Sequence, residues 1–155
     1  DTAAASFELL VRRALGEVPE YFRLERYRVI DERRRNAVGH WVTLSEATGK
    51  VEVGGKAYIQ VGEGDGPVHA FDTALRQVLT GAYPELEALE LADYRVRIVE
   101  STAGTSARTR VTIESTDGRG HRWTTVGVHS NVLEASLEAL QDSIAYMLFR
   151  FGEKA

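Results

Sequence analysis

Cysteine is absent from this chain of 155 residues. Its absence excludes disulfides, thiol nucleophiles, and zinc–thiolate or iron–sulfur sites. Long apolar runs are also missing, so the sequence predicts no segment that spans a bilayer, and no signal peptide is visible. Positive charge is not in excess, because the chain has 19 Lys and Arg residues and 23 Asp and Glu residues, which give a net charge of −4. This charge balance argues against nucleic acid or a membrane as a partner.

What is present is the composition of a globular domain. Charged residues make up 27% of the chain and apolar residues 43%, a balance that argues against disorder. A single domain of this size buries roughly 70% of its unfolded surface, which is enough for a core without cross-links. The chain starts at Asp1 rather than Met, already in a helical pattern, so we expect it to be a piece of a longer protein.

The first segment is predicted to be a short amphipathic helix. Ser6 is expected to cap its start and Gly16 to end it. Because so short a helix is unstable alone, its apolar stripe is predicted to dock on another part of the protein. The stripe consists of Phe7, Leu10, Val11, Ala14 and Leu15.

The remaining residues show the same order twice, three strands followed by a helix. In the first pass the predicted strands are 22–30, 37–46 and 56–61, with turn signals through 47–55 and a helix from Pro67 to about Thr80 that Gly81 ends. In the second pass the predicted strands are 94–100, 109–115 and 121–128, with a turn at 116–120 and a helix after Asn131.

Sequence landmarks support a repeat with a period of roughly 65 residues. VTLSE at 42–46 matches VTIES at 111–115, and GDGPVHAFDTAL at 64–75 matches HSNVLEASLEAL at 129–140. Asn131 and Glu134 have the spacing of a capping box, in which each side chain bonds to the backbone of the other.

This pattern predicts an α+β fold built from two βββα units, at about 21–82 and 91–150, after an opening helix within 1–20. Each unit has one apolar sheet face and one apolar helix stripe, so we expect two long helices to lie over antiparallel sheets. Three-stranded sheets leave edges that must be paired or covered. We therefore predict a homodimer.

Catalytic signatures are missing, since no HExxH, GxSxG or Walker A pattern occurs. His121 and His129 fall on one predicted strand, roughly 26 Å apart, which is too far for one metal ion. We expect the histidines to be solvated or structural, and we expect no active site, metal or cofactor in these residues.

A glycine-rich stretch at 62–66 leads into the first long helix. Helix N-termini bind anions through unpaired N–H groups, and glycine allows a ligand to approach the backbone. Pro67 has no N–H, so the donors would be Gly66, Val68 and His69. The Lys and Ser/Thr of a P-loop are absent and the acidic neighbours would repel phosphate, so a carboxylate with an adjacent ammonium group fits better. The alternative interpretation is a tight strand-to-helix turn without a ligand.

A second stretch of small residues, 101–108, is either a mobile polar loop or a close-fitting lid. The arginines around it, Arg95, Arg97, Arg108 and Arg110, are more typical of solvated sheet charges than of an anion site.

Several segments in this order carry a resemblance to a known family. They are ASFELLVRRALG at 5–16, GEGDGPVHAFDTAL at 62–75, DYRVRI at 93–98, TRVTIES at 109–115 and WTTVGVHSNVLEASLEALQDSIAYML at 123–148. Together they resemble the C-terminal regulatory domain of the α-isopropylmalate synthase and homocitrate synthase family, and look most like its citramalate synthase branch.

The resemblance implies a duplicated βββα domain that dimerises and binds a branched-chain amino acid, isoleucine or leucine, for feedback inhibition. It implies a cytoplasmic parent enzyme whose TIM barrel, with a divalent metal, condenses acetyl-CoA with a 2-oxo acid. That barrel lies outside this sequence, and the opening helix resembles the end of the linker region. A parent of the 2-isopropylmalate synthase type and a plain dimerisation module without a ligand remain as alternatives. An ACT-type sensor conflicts with the strand order.

The resemblance also implies an effector site. The glycine turn would hold the backbone of the effector, a second glycine-bearing loop would lie near it, and Tyr94 would line its apolar part. The residues are Gly64, Asp65, Gly66, Pro67, Val68, Tyr94, Gly104, Thr105, Ser106 and Ala107. The second unit has His129, Ser130 and Asn131 in place of the glycine turn, so this unit need not bind a ligand.

Overall fold

The structure is a computed structural model that describes residues 4–99 and 107–152. Its helices are α1 (Ala4–Ala14), α2 (Pro67–Ala82) and α3 (Val132–Phe151), with a 3-10 turn at Pro84–Ala88. Its strands are β1 (Arg23–Arg35), β2 (Trp41–Val53), β3 (Lys56–Gly64), β4 (Glu90–Val99), β5 (Arg108–Thr116) and β6 (Arg122–His129). The strands form two antiparallel sheets of order β1-β2-β3 and β4-β5-β6, which confirms the predicted α+β fold. None of the helices described is long and apolar enough to cross a membrane.

The chain divides into two compact units. The first comprises Glu20–Pro84, and the second comprises Asp1–Pro19 together with Glu85–Ala155. The first unit therefore holds β1 to β3 and α2, and the second holds β4 to β6 with both α1 and α3.

The core of the first unit lies between the inner face of its sheet and α2. On β2, alternate residues such as Ala47 and Val51 are buried, as period-2 alternation requires. On α2, Phe71, Leu75 and Leu79 are fully buried, and each such side chain contributes roughly 1.5–3 kcal/mol of transfer free energy.

Gly49 and Gly81 do not end a strand or a helix, contrary to the sequence prediction. The predicted turn through 47–55 is wrong, because β2 runs on to Val53 and only Gly54 and Gly55 form the turn, with φ of +60° and +80°. Gly49 lies within the strand, where an added Cβ would be in ordinary contact with the Phe71 ring at 3.7 Å, so it does not turn the chain. Gly81 does not end α2 either, since the helix continues to Ala82, shortly before Pro84.

The second unit has a core with internal hydrogen bonds. Val111 and Ile113 of β5 are fully buried. The indole N–H of Trp123 donates to the Ser143 carbonyl at 3.1 Å, and the Thr125 hydroxyl donates to the Ala139 carbonyl at 2.8 Å. These two bonds satisfy buried polar groups and fix the position of α3 along β6.

The docking face of α1 differs from the predicted stripe. Phe7, Leu10 and Leu15 are 68%, 65% and 63% exposed, whereas Ala5 and Leu9 are buried. Ser6 is not a cap but lies inside the helix. Its hydroxyl accepts from the Val126 amide at 2.9 Å and donates to Asp142 at 3.0 Å. Ser6 thus covers part of the free edge of β6 and determines which side of the helix faces the unit.

The C-terminus of α1 follows the sequence prediction. Gly16 has φ of +73°, the Gly16 amide donates to the Arg13 carbonyl at 3.0 Å, and the Glu17 amide donates to the Arg12 carbonyl at 2.9 Å. This is a Schellman motif, which glycine favours because it accepts positive φ.

The repeat is present, but one of its two landmarks is misaligned. Val42, at the start of VTLSE, is 37% exposed on the outer face of β2, whereas Val111, at the start of VTIES, is fully buried on the inner face of β5. The match between these segments is therefore wrong, because a shift by an odd number of residues exchanges the two faces of a strand. The helix landmarks agree, since α2 and α3 begin at corresponding residues, Pro67 and Val132.

Candidate functional site

The candidate site is the start of α2. β3 ends at Gly64, and the chain passes through Asp65 and Gly66 into the helix. Gly66 is the N-cap residue, with extended backbone at φ −160° and ψ 169°, and its carbonyl accepts from the Ala70 amide at 3.0 Å. Pro67 occupies the beginning of the helix, where its missing N–H costs nothing.

No side chain of the described residues caps α2, and its first turn carries no acidic residue. The amides of Gly66, Val68 and His69 are the ones that a helix leaves without an internal partner. They add to the positive end of the helix dipole. The start of α2 is therefore open to an external acceptor such as a carboxylate.

The glycines before α2 have different roles. A Cβ on Gly64 would lie 2.6 Å from the Ala70 amide nitrogen and 2.9 Å from the His69 Cβ, so close packing of β3 on α2 requires this glycine. A Cβ on Gly66 would meet no atom within 4 Å. Only Gly66 thus borders open space, and the packing interpretation accounts for Gly64 without a ligand.

The remaining residues of this turn differ in exposure. Asp65 and Pro67 are exposed, whereas the Val68 side chain is 5% exposed.

Farther along α2, the Asp72 carboxylate pairs with Arg76 at 2.9 Å. Burial raises the pKa of Asp72, although the adjacent Arg76 opposes that shift.

The start of α3 is closed, in contrast to that of α2. The Asn131 side chain accepts from the Leu133 amide at 2.8 Å and from the Glu134 amide at 3.2 Å. The predicted capping box is only half correct, because the Asn131 amide donates to His129 Nδ1 at 3.0 Å rather than to Glu134. A histidine two residues before the cap is the sequence signal that the prediction overlooked.

Tyr94 lies in the second unit, on the inner face of β4 opposite Ile113. Its hydroxyl is 3.1 Å from Ser136 Oγ, in the first turns of α3. Val96 and Ile98 continue the same face and are 50% and 70% exposed. The alternation in YRVRI was the signal for this apolar surface beside Tyr94.

Of the other predicted site residues, some lie outside the described part of the chain and the rest lie in two different units. Gly104, Thr105 and Ser106 lie outside the described residues, and Ala107 is an exposed residue just before β5. Gly64 to Val68 belong to the first unit, whereas Tyr94 and Ala107 belong to the second. Their assignment to one effector site stays a prediction.

The residues that could bind a metal ion or transfer a proton are considered next, within the described ranges. They contain no group of three or more His, Asp or Glu side chains arranged to hold a metal ion. His121 is hydrogen-bonded through Nδ1 to Asp117 at 2.6 Å and stacks on Phe151 with ring centres 4.0 Å apart. His129 accepts a hydrogen bond from the Asn131 amide. These two histidines therefore have structural partners.

Several known proteins similar to this chain are synthases. The chain is 47% identical over 154 residues to (R)-citramalate synthase of Aquifex aeolicus, which covers 99% of the chain and 28% of that protein. It is 47% identical over 151 residues to (R)-citramalate synthase of Geobacter sulfurreducens, covering 97% and 28%. A more distant relative, 2-isopropylmalate synthase of Carboxydothermus hydrogenoformans, is 28% identical over 147 residues, covering 95% and 26%. The chain thus spans little more than a quarter of the length of these curated relatives.

A family model covers nearly the whole sequence. The model described as the LeuA allosteric (dimerisation) domain matches residues 1–148. This match agrees with the resemblance that the sequence segments showed. The chain therefore belongs to the family of LeuA allosteric (dimerisation) domains.

Proposed function

We propose that this chain is the regulatory domain of a citramalate synthase-like acyltransferase, in which it binds isoleucine or leucine and thereby inhibits the catalytic part of the same protein. The observation that carries the proposal is the uncapped start of α2 beside Gly66, in a domain whose family is described as allosteric. The relatives named (R)-citramalate synthase, at 47% identity, support the choice of parent enzyme.

The effector carboxylate binds the amides of Gly66, Val68 and His69. Its ammonium group is received by backbone carbonyls or by the exposed carboxylate of Asp65. Its branched side chain is buried against apolar side chains. Burial of that side chain is worth roughly 2 kcal/mol, and one methylene about 0.8 kcal/mol. Isoleucine and leucine have equal numbers of carbons, so the pocket separates them by shape.

The second part of the proposal is dimerisation, for which the family description is the support. Two copies of the domain associate, and the effector inhibits by favouring one arrangement of the dimer over another. The regulatory domain itself uses no cofactor, and the divalent metal belongs to the catalytic part.

The alternative parent is a 2-isopropylmalate synthase, which the relative at 28% identity favours. We prefer the citramalate synthase type because those relatives share 47% identity over almost the whole chain. A dimerisation module without a ligand would also account for Gly64, whose Cβ position is occupied by α2.

Calorimetric titration of the chain with isoleucine, leucine and valine tests the effector. We expect isoleucine or leucine to bind, and isoleucinamide, which lacks the carboxylate, to bind far more weakly. No heat and no thermal shift at millimolar amino acid would leave only the dimerisation module. Equal binding of isoleucine and isoleucinamide would refute the role given to the α2 amides.

A further inference from the structure

The outward side of α1 is apolar and uncharged. Phe7, Leu10, Val11 and Ala14 are all exposed, and their spacing of i, i+3, i+4 and i+7 places them on one stripe of the helix. We call these four residues the outer stripe. A surface helix normally has the opposite arrangement, with its apolar stripe toward the core and its charged residues toward solvent.

Polar side chains of α1 face the second unit instead. The Glu8 carboxylate accepts from the Tyr146 hydroxyl at 3.0 Å. Arg13 donates to Asp142 of α3 at 2.9 Å, and Asp142 also accepts from Ser6. These bonds hold α1 in one orientation on α3, so the outer stripe stays on the outside and a displacement of α1 acts directly on α3.

The outer stripe is too small to hold two free molecules together. α1 has 11 residues, so it is roughly 16 Å long and about 10 Å across. One side of such a helix offers far less than the roughly 800 Å² per partner that interfaces between separate proteins bury. Parts of one polypeptide need less area, because their tether gives them a high effective concentration. The size of the stripe therefore favours a partner in the same protein over a second copy of the chain.

We propose that the catalytic part of the parent enzyme covers the outer stripe and that this contact carries the effector signal. The inference rests on the proposed function, which supplies both the catalytic part and the signal. The curated relatives have room for such a part, since the chain spans 28% of their length.

The structure of α1 suits this role. Coupling between parts of a protein travels through packed side chains and hydrogen-bond networks, and α1 joins an apolar outer side to an inner side that is hydrogen-bonded to α3. The covering surface is itself apolar, because the outer stripe has no side-chain donor or acceptor for a polar one.

Thiol labelling tests the burial directly, because the chain has no cysteine of its own. Leu10→Cys places one thiol on the outer stripe, and Val38→Cys, in the exposed turn between β1 and β2, is the matched control. Mass spectrometry measures the reaction of each with a maleimide, in the isolated chain and in the parent enzyme. Leu10→Cys should react about tenfold or more slower in the parent enzyme, since a covered thiol reacts only when the contact opens. Val38→Cys should react at similar rates in both.

A second test separates effector binding from inhibition. Phe7→Gln combined with Leu10→Gln makes the outer stripe polar while keeping a good helix former. In the isolated chain, this double variant should retain its circular dichroism and its calorimetric affinity for isoleucine or leucine. In the parent enzyme, the effector concentration for half-inhibition should rise about tenfold or more, the size of a typical allosteric coupling. Val38→Gln should leave affinity and inhibition unchanged.

Three results would overturn the inference. Leu10→Cys could react equally fast in the isolated chain and in the parent enzyme, or become protected in the isolated chain as its concentration rises, which would assign the stripe to a second copy. Full inhibition in the Phe7→Gln and Leu10→Gln variant would mean that the signal takes another route. A wild-type chain that binds no amino acid would refute the proposed effector and the signal together, while the labelling rates would still decide what covers the stripe.

Discussion

Gly62 and Gly127 occupy corresponding places in the two units, each on the third strand and against the helix that follows. At Gly62 an added Cβ would overlap the carbonyl oxygen of Ala70, and at Gly127 it would overlap that of Ala135. Strand and helix therefore pack backbone to backbone in both halves, and the repeat is expressed in this contact more clearly than in any matching sequence.

Gly127→Ala should lower the free energy of unfolding by about 2–4 kcal/mol, because α3 must move away from β6 to admit the methyl group. Gly66→Ala is the matched control and should lower it by about 1 kcal/mol or less, since its Cβ enters open space and only the N-cap preference for glycine over alanine is lost. Urea denaturation measures both. Similar stabilities for the two variants would show that the close packing of β6 on α3 is not a constraint.

Asn131→Ala should cost about 1 kcal/mol, because the amides of Leu133 and Glu134 lose their acceptor. Asn131→Asp keeps a cap of the same shape and should retain nearly all of the stability. Thermal denaturation of the two variants compares them. A loss shared by both would mean that the Asn131 side chain stabilises something other than the helix start.

Asp117 makes the stability of the second unit depend on pH. Burial alone would raise the pKa of Asp117, but hydrogen bonds from His121 and from the Arg119 and His121 amides outweigh burial and hold it below its usual value. A lowered carboxyl pKa stabilises the fold above the pKa of the unfolded chain, about 3.9, and this contribution is lost as the pH falls through the folded value.

Asp117→Asn should therefore destabilise the protein by about 1–3 kcal/mol at neutral pH, and its difference from the wild type should shrink in acid. Urea denaturation at neutral pH and at pH values below the unfolded pKa of about 3.9 measures the difference. A gap that stays constant with pH would contradict the role given to the ionised carboxylate. Glu25→Gln, on the exposed side of β1, provides a control and should change the stability by about 0.5 kcal/mol or less.

The orientation of α1 leads to opposite expectations for two neighbouring leucines. Leu9 is fully buried and Leu10 is 65% exposed, so Leu9→Ala should cost about 2–4 kcal/mol and Leu10→Ala about 0.5 kcal/mol or less. Denaturant unfolding of the two variants distinguishes the faces. A larger loss of stability in Leu10→Ala than in Leu9→Ala would contradict this orientation and support the apolar stripe predicted from the sequence.

Local patterns predicted which segments are helices and strands, but not which face of α1 is buried. In α1, apolar periodicity favoured Phe7 and Leu10, because it gives no weight to polar side chains. The hydrogen bonds of Ser6 to Val126 and Asp142, and of Glu8 to Tyr146 at 3.0 Å, instead turn Leu9 inward. Their partners lie far away in the sequence, so no local pattern contains this information.

The start of α2 was predictable as a helix N-terminus from Gly66 and Pro67, since both residues have strong positional preferences there. What the sequence does not contain is the reason for each glycine. Gly64 is required by packing and Gly66 borders open space, a difference that depends on the path of α2 over β3. The same limit applies to Gly49, whose neighbour Phe71 comes from the following helix.

The most direct test of the effector site compares isoleucine and leucine binding to the wild type, Gly66→Asp and Gly66→Ala by calorimetry. The carboxylate introduced by Gly66→Asp would cap α2 and occupy the amides intended for the effector. We predict that Gly66→Asp weakens binding about tenfold or more, a loss of about 1.4 kcal/mol or more, and that Gly66→Ala, which adds a methyl group but no competing acceptor, weakens it less. Undiminished affinity in a folded Gly66→Asp variant would contradict the claim that the effector carboxylate binds at the start of α2.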